Sequence, residues 1–85
     1  MPNPQRISID PDPPIHGQSL TVCYDFAGTN LQKVDLTLTF SPGGSTTIRL
    51  LPSAPCQVVL VPSTATSLEI VDGSGTSPSL VVEVE

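Results

Sequence analysis

The sequence predicts an all-β fold, a sandwich of seven short strands in two antiparallel sheets. Three observations carry the prediction. Ten Pro and six Gly punctuate a chain rich in Ser, Thr, Val and Leu, the composition of short strands joined by turns. Good helix formers are scarce, and no window shows the i, i+3, i+4, i+7 apolar spacing of a surface helix. Seven short segments read as strands, most of them alternating apolar with polar residues, which buries one face of a strand and wets the other.

Taken in order, Arg6–Asp10 is the first strand, with Ile7 and Ile9 on one face. "PDPPIHG" then interrupts pairing, because proline lacks a ladder donor and restricts the residue before it. Ser19–Phe26 is the second strand, with Leu20, Val22, Tyr24 and Phe26 inward and Thr21, Cys23 and Asp25 outward. After the polar connection "AGTNLQ", Val34–Phe40 alternates most cleanly, with Val34, Leu36, Leu38 and Phe40 inward. "SPGGS" makes a hairpin turn whose glycines can take positive φ, and Thr46–Leu51 follows with Ile48 and Leu50 inward. "PSAP" ends that strand. Cys56–Val61 is the fifth, and its parity reads Val58 and Leu60 as inward. Ser67–Val71 buries Leu68 and Ile70, "DGSGTSP" turns, and Ser79–Glu85 places Leu80, Val82 and Val84 on one face. Residues 1–85 thus make one domain, with residues 1–5 a loose N-terminal lead.

Seven strands in this order resemble an immunoglobulin-like or fibronectin type III-like module. The resemblance spans almost the whole chain and is one of fold alone. It implies an antiparallel immunoglobulin-like β-sandwich with the first, second and fifth strands in one sheet and the others in the second. "ATSLEIVDGSG" and "SLVVEVE" look like the last hairpin of many bacterial immunoglobulin-like modules. The third strand lacks a Trp and the sixth a Tyr, so no particular immunoglobulin family is indicated.

Two cysteines stand at Cys23 and Cys56. Cys23 points away from the core, so a disulfide crossing between the sheets is not encoded. In the topology just given, the second and fifth strands are antiparallel neighbours, and Cys23 and Cys56 meet at one rim of their sheet. A disulfide is expected there. Cys56 shares parity with Val58 and Leu60, so an inward fifth strand would require a bend or bulge at Pro55 to bring it outside. A chain this short buries only about 60–65% of its unfolded surface, so a crosslink would matter to stability. Bonded cysteines place the working protein outside the cell, on its surface or on a virion; free ones place it in the cytoplasm.

Eight acids against three scattered bases, Arg6, Lys33 and Arg49, give a net charge of −5, which argues against nucleic acid as a partner. No apolar run approaches the roughly 20 residues that cross a bilayer, so membrane insertion is not expected. "MPNPQR" has no basic stretch followed by an apolar one, so no signal peptide is read in it. His16 and Ser19 have no known catalytic spacing, and one His with two Cys on separate strands is a poor zinc set. An enzyme is not expected, nor a cofactor.

Asp10, Asp12 and Asp72 are loop carboxylates that could ligate calcium, although Asp72 also suits an Asx-turn. "PIHGQSLTVCYDF" is loosely similar to the opening strands of some carbohydrate-binding sandwiches, but the chain has no Trp and Tyr24, Phe26 and Phe40 read as core. The outer faces, with Thr21, Thr37, Thr39, Thr47, Ser67 and Ser79, are polar and weakly charged. "QVVLV" and "LVVEV" lie near sheet edges with few charged guards, so a partner strand or a larger assembly is the expected contact. Three functions follow in order: a structural or adhesion module of a surface protein, a small decoration protein of a phage capsid or tail, and a calcium- or carbohydrate-binding module.

Overall fold

The structure, a computed structural model, describes residues 4–85. Met1–Asn3, the start of the expected loose lead, lie outside the described residues. The elements are β1 (Ile7–Asp10), β2 (Ser19–Tyr24), β3 (Val34–Ser41), β4 (Gly44–Leu50), β5 (Cys56–Leu60), β6 (Ser67–Asp72) and β7 (Leu80–Glu83). They form two antiparallel sheets, ordered β1-β2-β5 and β4-β3-β6-β7, the partition that the resemblance implies. No helix is present among the described residues.

The core lies between the sheets and is built by the alternating positions. Leu20, Val22 and Tyr24 of β2 face Val34, Leu36, Leu38 and Phe40 of β3, with Ile48 and Leu50 of β4 and Leu68 and Ile70 of β6 beside them. Each strand commits every second residue to this layer, so a register slip of one would expose the whole set. Val61 and Ala65, in the β5–β6 connection, close one pole of the core.

The β1–β2 connection crosses between the sheets. β1 pairs with β2, but beyond Asp10 the chain leaves that sheet and runs beside the end of β7. There the Glu85 amide donates to the Pro14 carbonyl at 2.8 Å, and the His16 amide donates to a Glu85 main-chain oxygen at 2.8 Å. One residue bonding two that flank Ile15 is the pattern of a parallel pair. Prolines in "DPDPP" make the crossing cheap, since they remove donors that the first sheet would otherwise have to satisfy. Gln5 at the opposite pole is tied to the start of β7: its side-chain carbonyl accepts from Ser77 Oγ at 2.9 Å and its side-chain amide donates to the Ser79 carbonyl at 3.4 Å.

The β3–β4 hairpin turns through Ser41–Gly44, with Phe40 opposite Gly44. Gly43 has φ +139°, and a Cβ there would stand 3.1 Å from Pro62 and 3.3 Å from Phe40 Cβ. Gly43→Ala should therefore cost more than about 1 kcal/mol, from both the unfavourable φ and the contact. A urea titration would check this, with an unchanged midpoint as the contrary result.

One expectation is corrected. β5 presents the opposite face from the one its sequence parity implied: Val59 is turned inward, while Val58 and Leu60 are 60% and 68% exposed. Cys56 lies outward with them, and no bulge at Pro55 is needed. The reason is physical. "CQVVLV" is apolar at consecutive positions, so hydrophobicity alone cannot tell its two faces apart, and pairing with β2 decides.

Candidate functional site

Two features of the first sheet stand out, a crosslinked outer face and a buried polar cluster beneath it. In the β2–β5 register Cys23 lies opposite Cys56, and the two are joined by a disulfide with Cα atoms 4.0 Å apart. The Tyr24 amide donates to the Pro55 carbonyl at 2.9 Å, which makes Cys23–Cys56 a non-hydrogen-bonded pair. Opposed residues approach closest at such pairs, which is why two neighbouring strands can be bridged there. The disulfide sits on the sheet's outer face, where the alternation of β2 put Cys23.

On the inner face, one residue further along β2, Tyr24 reaches across the sandwich. Its hydroxyl donates to Asp72 Oδ2 at 2.6 Å, joining β2 to the end of β6. The Ser77 amide donates to the same oxygen at 3.0 Å, and the Ser74 amide and hydroxyl each donate to Oδ1 at 2.7 Å. Asp72 is only 6% exposed, yet both of its oxygens are bonded. Burial pushes its carboxyl up, but the bonds from Tyr24 and Ser74 and the Ser77 amide outweigh this and hold it below the usual carboxylate value. For Tyr24 burial comes first and the Asp72 bond second, and both push the phenol up. Phe26 packs edge-on against Tyr24, with ring centroids 5.0 Å apart.

Arg6 belongs to the same pole. Its guanidinium donates to the carbonyls of Asp25 at 3.0 Å and Ala27 at 2.6 Å, and its amide donates to Ser77 Oγ at 3.0 Å. Gln5, Arg6 and Ser77 therefore stitch the chain's entry to the β6–β7 loop that Asp72 organises. Sequence reasoning found Asp72 and its Asx-turn but not its bond to Tyr24. Tyr24 reads simply as core in an alternating strand, and only the three-dimensional packing pairs it with a carboxylate.

The calcium candidates are not brought together. Asp10 pairs with Thr21 at the far end of β1, and Asp12 follows in the exposed crossing segment, whereas Asp72 lies at the pole of Tyr24. Asp72's oxygens are engaged by protein donors, an arrangement that serves the fold and offers a cation little. Among the described residues no three metal-ligating side chains cluster, and no pocket is present. His16 is exposed, and it bonds Glu85 through its main-chain amide. Tyr24 is buried and Phe26 half-buried against it, so neither offers a bare ring face for stacking.

Comparison with known protein families, with characterised proteins and with solved structures finds no significant match. Whatever is said of function therefore rests on this chain's own geometry.

Proposed function

We propose that the chain is an immunoglobulin-like, fibronectin type III-like module without catalytic activity, working outside the reducing cytosol as a spacer or adhesion unit of a surface or extracellular protein. The fold assignment is supported by the β1-β2-β5 and β4-β3-β6-β7 partition and by the chain's crossing from one sheet to the other before β2. The observation that carries the function is where the chain enters and leaves. Gln5 stands at the start of β7 beside Ser79, and Glu85 stands at its far end beside Pro14, so entry and exit lie at opposite poles. A unit built this way transmits a pull along its length, through strands that the buried Tyr24–Asp72 bond and the Cys23–Cys56 disulfide hold in place.

The disulfide supports the location, since thiols in the cytosol are kept reduced. A small decoration protein on a virion or other assembly is the alternative, and the exposed apolar residues of β5 favour it equally.

Blocking thiols before lysis of the native source, then measuring intact mass with and without reduction, tests the location. The expected result is no blocked cysteine before reduction and two after it, in a secreted or surface fraction. Two cysteines blocked from the start, in a cytosolic fraction, would overturn it.

A further inference from the structure

The outermost strand of the first sheet has an unguarded edge. The bonds flanking the β2–β5 ladder, Tyr24 to Pro55 and Val61 to Gln18, fix its phase. Gln57 and Val59 turn their main-chain groups toward β2, while the amides and carbonyls of Cys56, Val58 and Leu60 face away from the sheet. Such an open ladder is a template for another strand, and proteins usually blunt it with charge, proline or a bulge.

The other edges carry such devices. β1 ends in Asp10 and the prolines after it, β4 carries Arg49, and β7 carries Glu83 with Glu69 opposite Val81. β5 carries none. From Leu50 to Leu68 the sequence has no charged residue at all, although the chain as a whole is −5. Two copies of an acidic protein repel one another over most of their surface, and this stretch is where they can meet without that cost. Its outer face also presents Val58 and Leu60, two of the most exposed large apolar side chains in the structure.

We propose that β5 pairs antiparallel with β5 of a second copy, about a two-fold axis at Val58. The open groups are spaced symmetrically about that residue. Val58 would lie opposite its own counterpart and Cys56 opposite Leu60 of the second copy, so every open amide and carbonyl from Cys56 to Leu60 is satisfied. The two three-stranded sheets join into one, with Val58, Leu60 and the disulfides of both copies forming a single apolar strip on its outer face. Pro55 and Pro62 flank the strand and limit pairing to this length. The contact is isologous, so it closes at two copies. This deepens the reading of the chain as an interaction module by naming its partner.

Sedimentation of the oxidised chain across concentrations tests it, alongside Val58→Lys and Val81→Lys. Val81 is as exposed as Leu60 but lies on the β7 edge, so it controls for general loss of surface hydrophobicity. The expected result is a species of twice the 8.9 kDa chain mass, present in wild type and Val81→Lys and lost in Val58→Lys, where two lysines would oppose each other at the axis. Amide exchange on unmodified protein gives a second measure: the Val58 and Leu60 amides should slow as concentration rises while the Val81 amide does not. A monomer at every concentration, a dimer indifferent to Val58→Lys, or no concentration dependence at those amides would overturn the pairing. The location result from thiol blocking would stand in any of those cases.

Discussion

Asp72→Ala is expected to destabilise the fold by about 4 kcal/mol, because it strips partners from several donors at once. The Tyr24 hydroxyl and the Ser77 amide are buried and both point at the lost carboxylate. The Ser74 amide and hydroxyl lose theirs as well, although they lie nearer solvent. Domains of this size have only about 4–13 kcal/mol in all. The melting temperature should therefore fall by roughly 15–30 °C, a loss of about a third or more of the whole stability. Tyr24→Phe removes one bond to a charged acceptor and leaves the packing in place, so about 2 kcal/mol is expected. A loss below about 1 kcal/mol for Asp72→Ala would mean that water reaches the site and substitutes for the carboxylate.

The same bonds set a pH dependence whose sign is fixed. Asp72 is held below its ordinary value of 3.8, so the folded state binds its proton less tightly than the unfolded chain does. Its contribution is complete above the ordinary value and drains away as pH falls through the depressed one. Tyr24 is displaced upward from 10.0, so its contribution is complete below that value and lost as pH rises through the raised one. Asp35, depressed by the bond from Arg49 at 2.9 Å, adds to the acid limb, but that pair is exposed and its share is small. Asp72→Asn removes the buried carboxylate's part and keeps Asp35's. The stability gap between wild type and Asp72→Asn should therefore shrink below about pH 4, and a gap that stays constant there would contradict the assignment.

What the sequence disclosed follows from where hydrophobicity is informative. Val34–Phe40 alternates without exception, and its buried set, Val34, Leu36, Leu38 and Phe40, is the one that pattern implies. Alternation likewise places Cys23 outside, and its bond to Cys56 follows from the sheet layout that the immunoglobulin-like resemblance implies. β5 failed because Val58, Val59, Leu60 and Val61 are all apolar, so the pattern was silent and the face had to be set by the register with β2. The Tyr24–Asp72 bond was illegible for a different reason. It joins residues far apart in sequence, and nothing local to an inward tyrosine or a turn aspartate announces the other. Alternation speaks of faces, whereas a buried polar pair depends on how two sheets are stacked.

Removing the crosslink, by reduction or by Cys23→Ser with Cys56→Ser, should cost about 3–4 kcal/mol, the loop entropy restored to the unfolded chain when residues 33 apart are released. The urea midpoint of the oxidised protein should exceed that of the reduced one accordingly, and a difference under about 1 kcal/mol would show that the unfolded chain is already compact across this loop. The loss can be assigned to one state or the other. Cys23 and Tyr24 are consecutive but point to opposite faces of β2, the one to solvent and the other to Asp72. If the disulfide acts on the unfolded chain, its loss and Tyr24→Phe add to within about 0.5 kcal/mol when combined. If it acts by holding the end of β2 so that Tyr24 can reach Asp72, the second change costs much less once the first is made. Separate faces and an unstructured reference state both favour additivity, and that is the expected outcome of the double-mutant cycle.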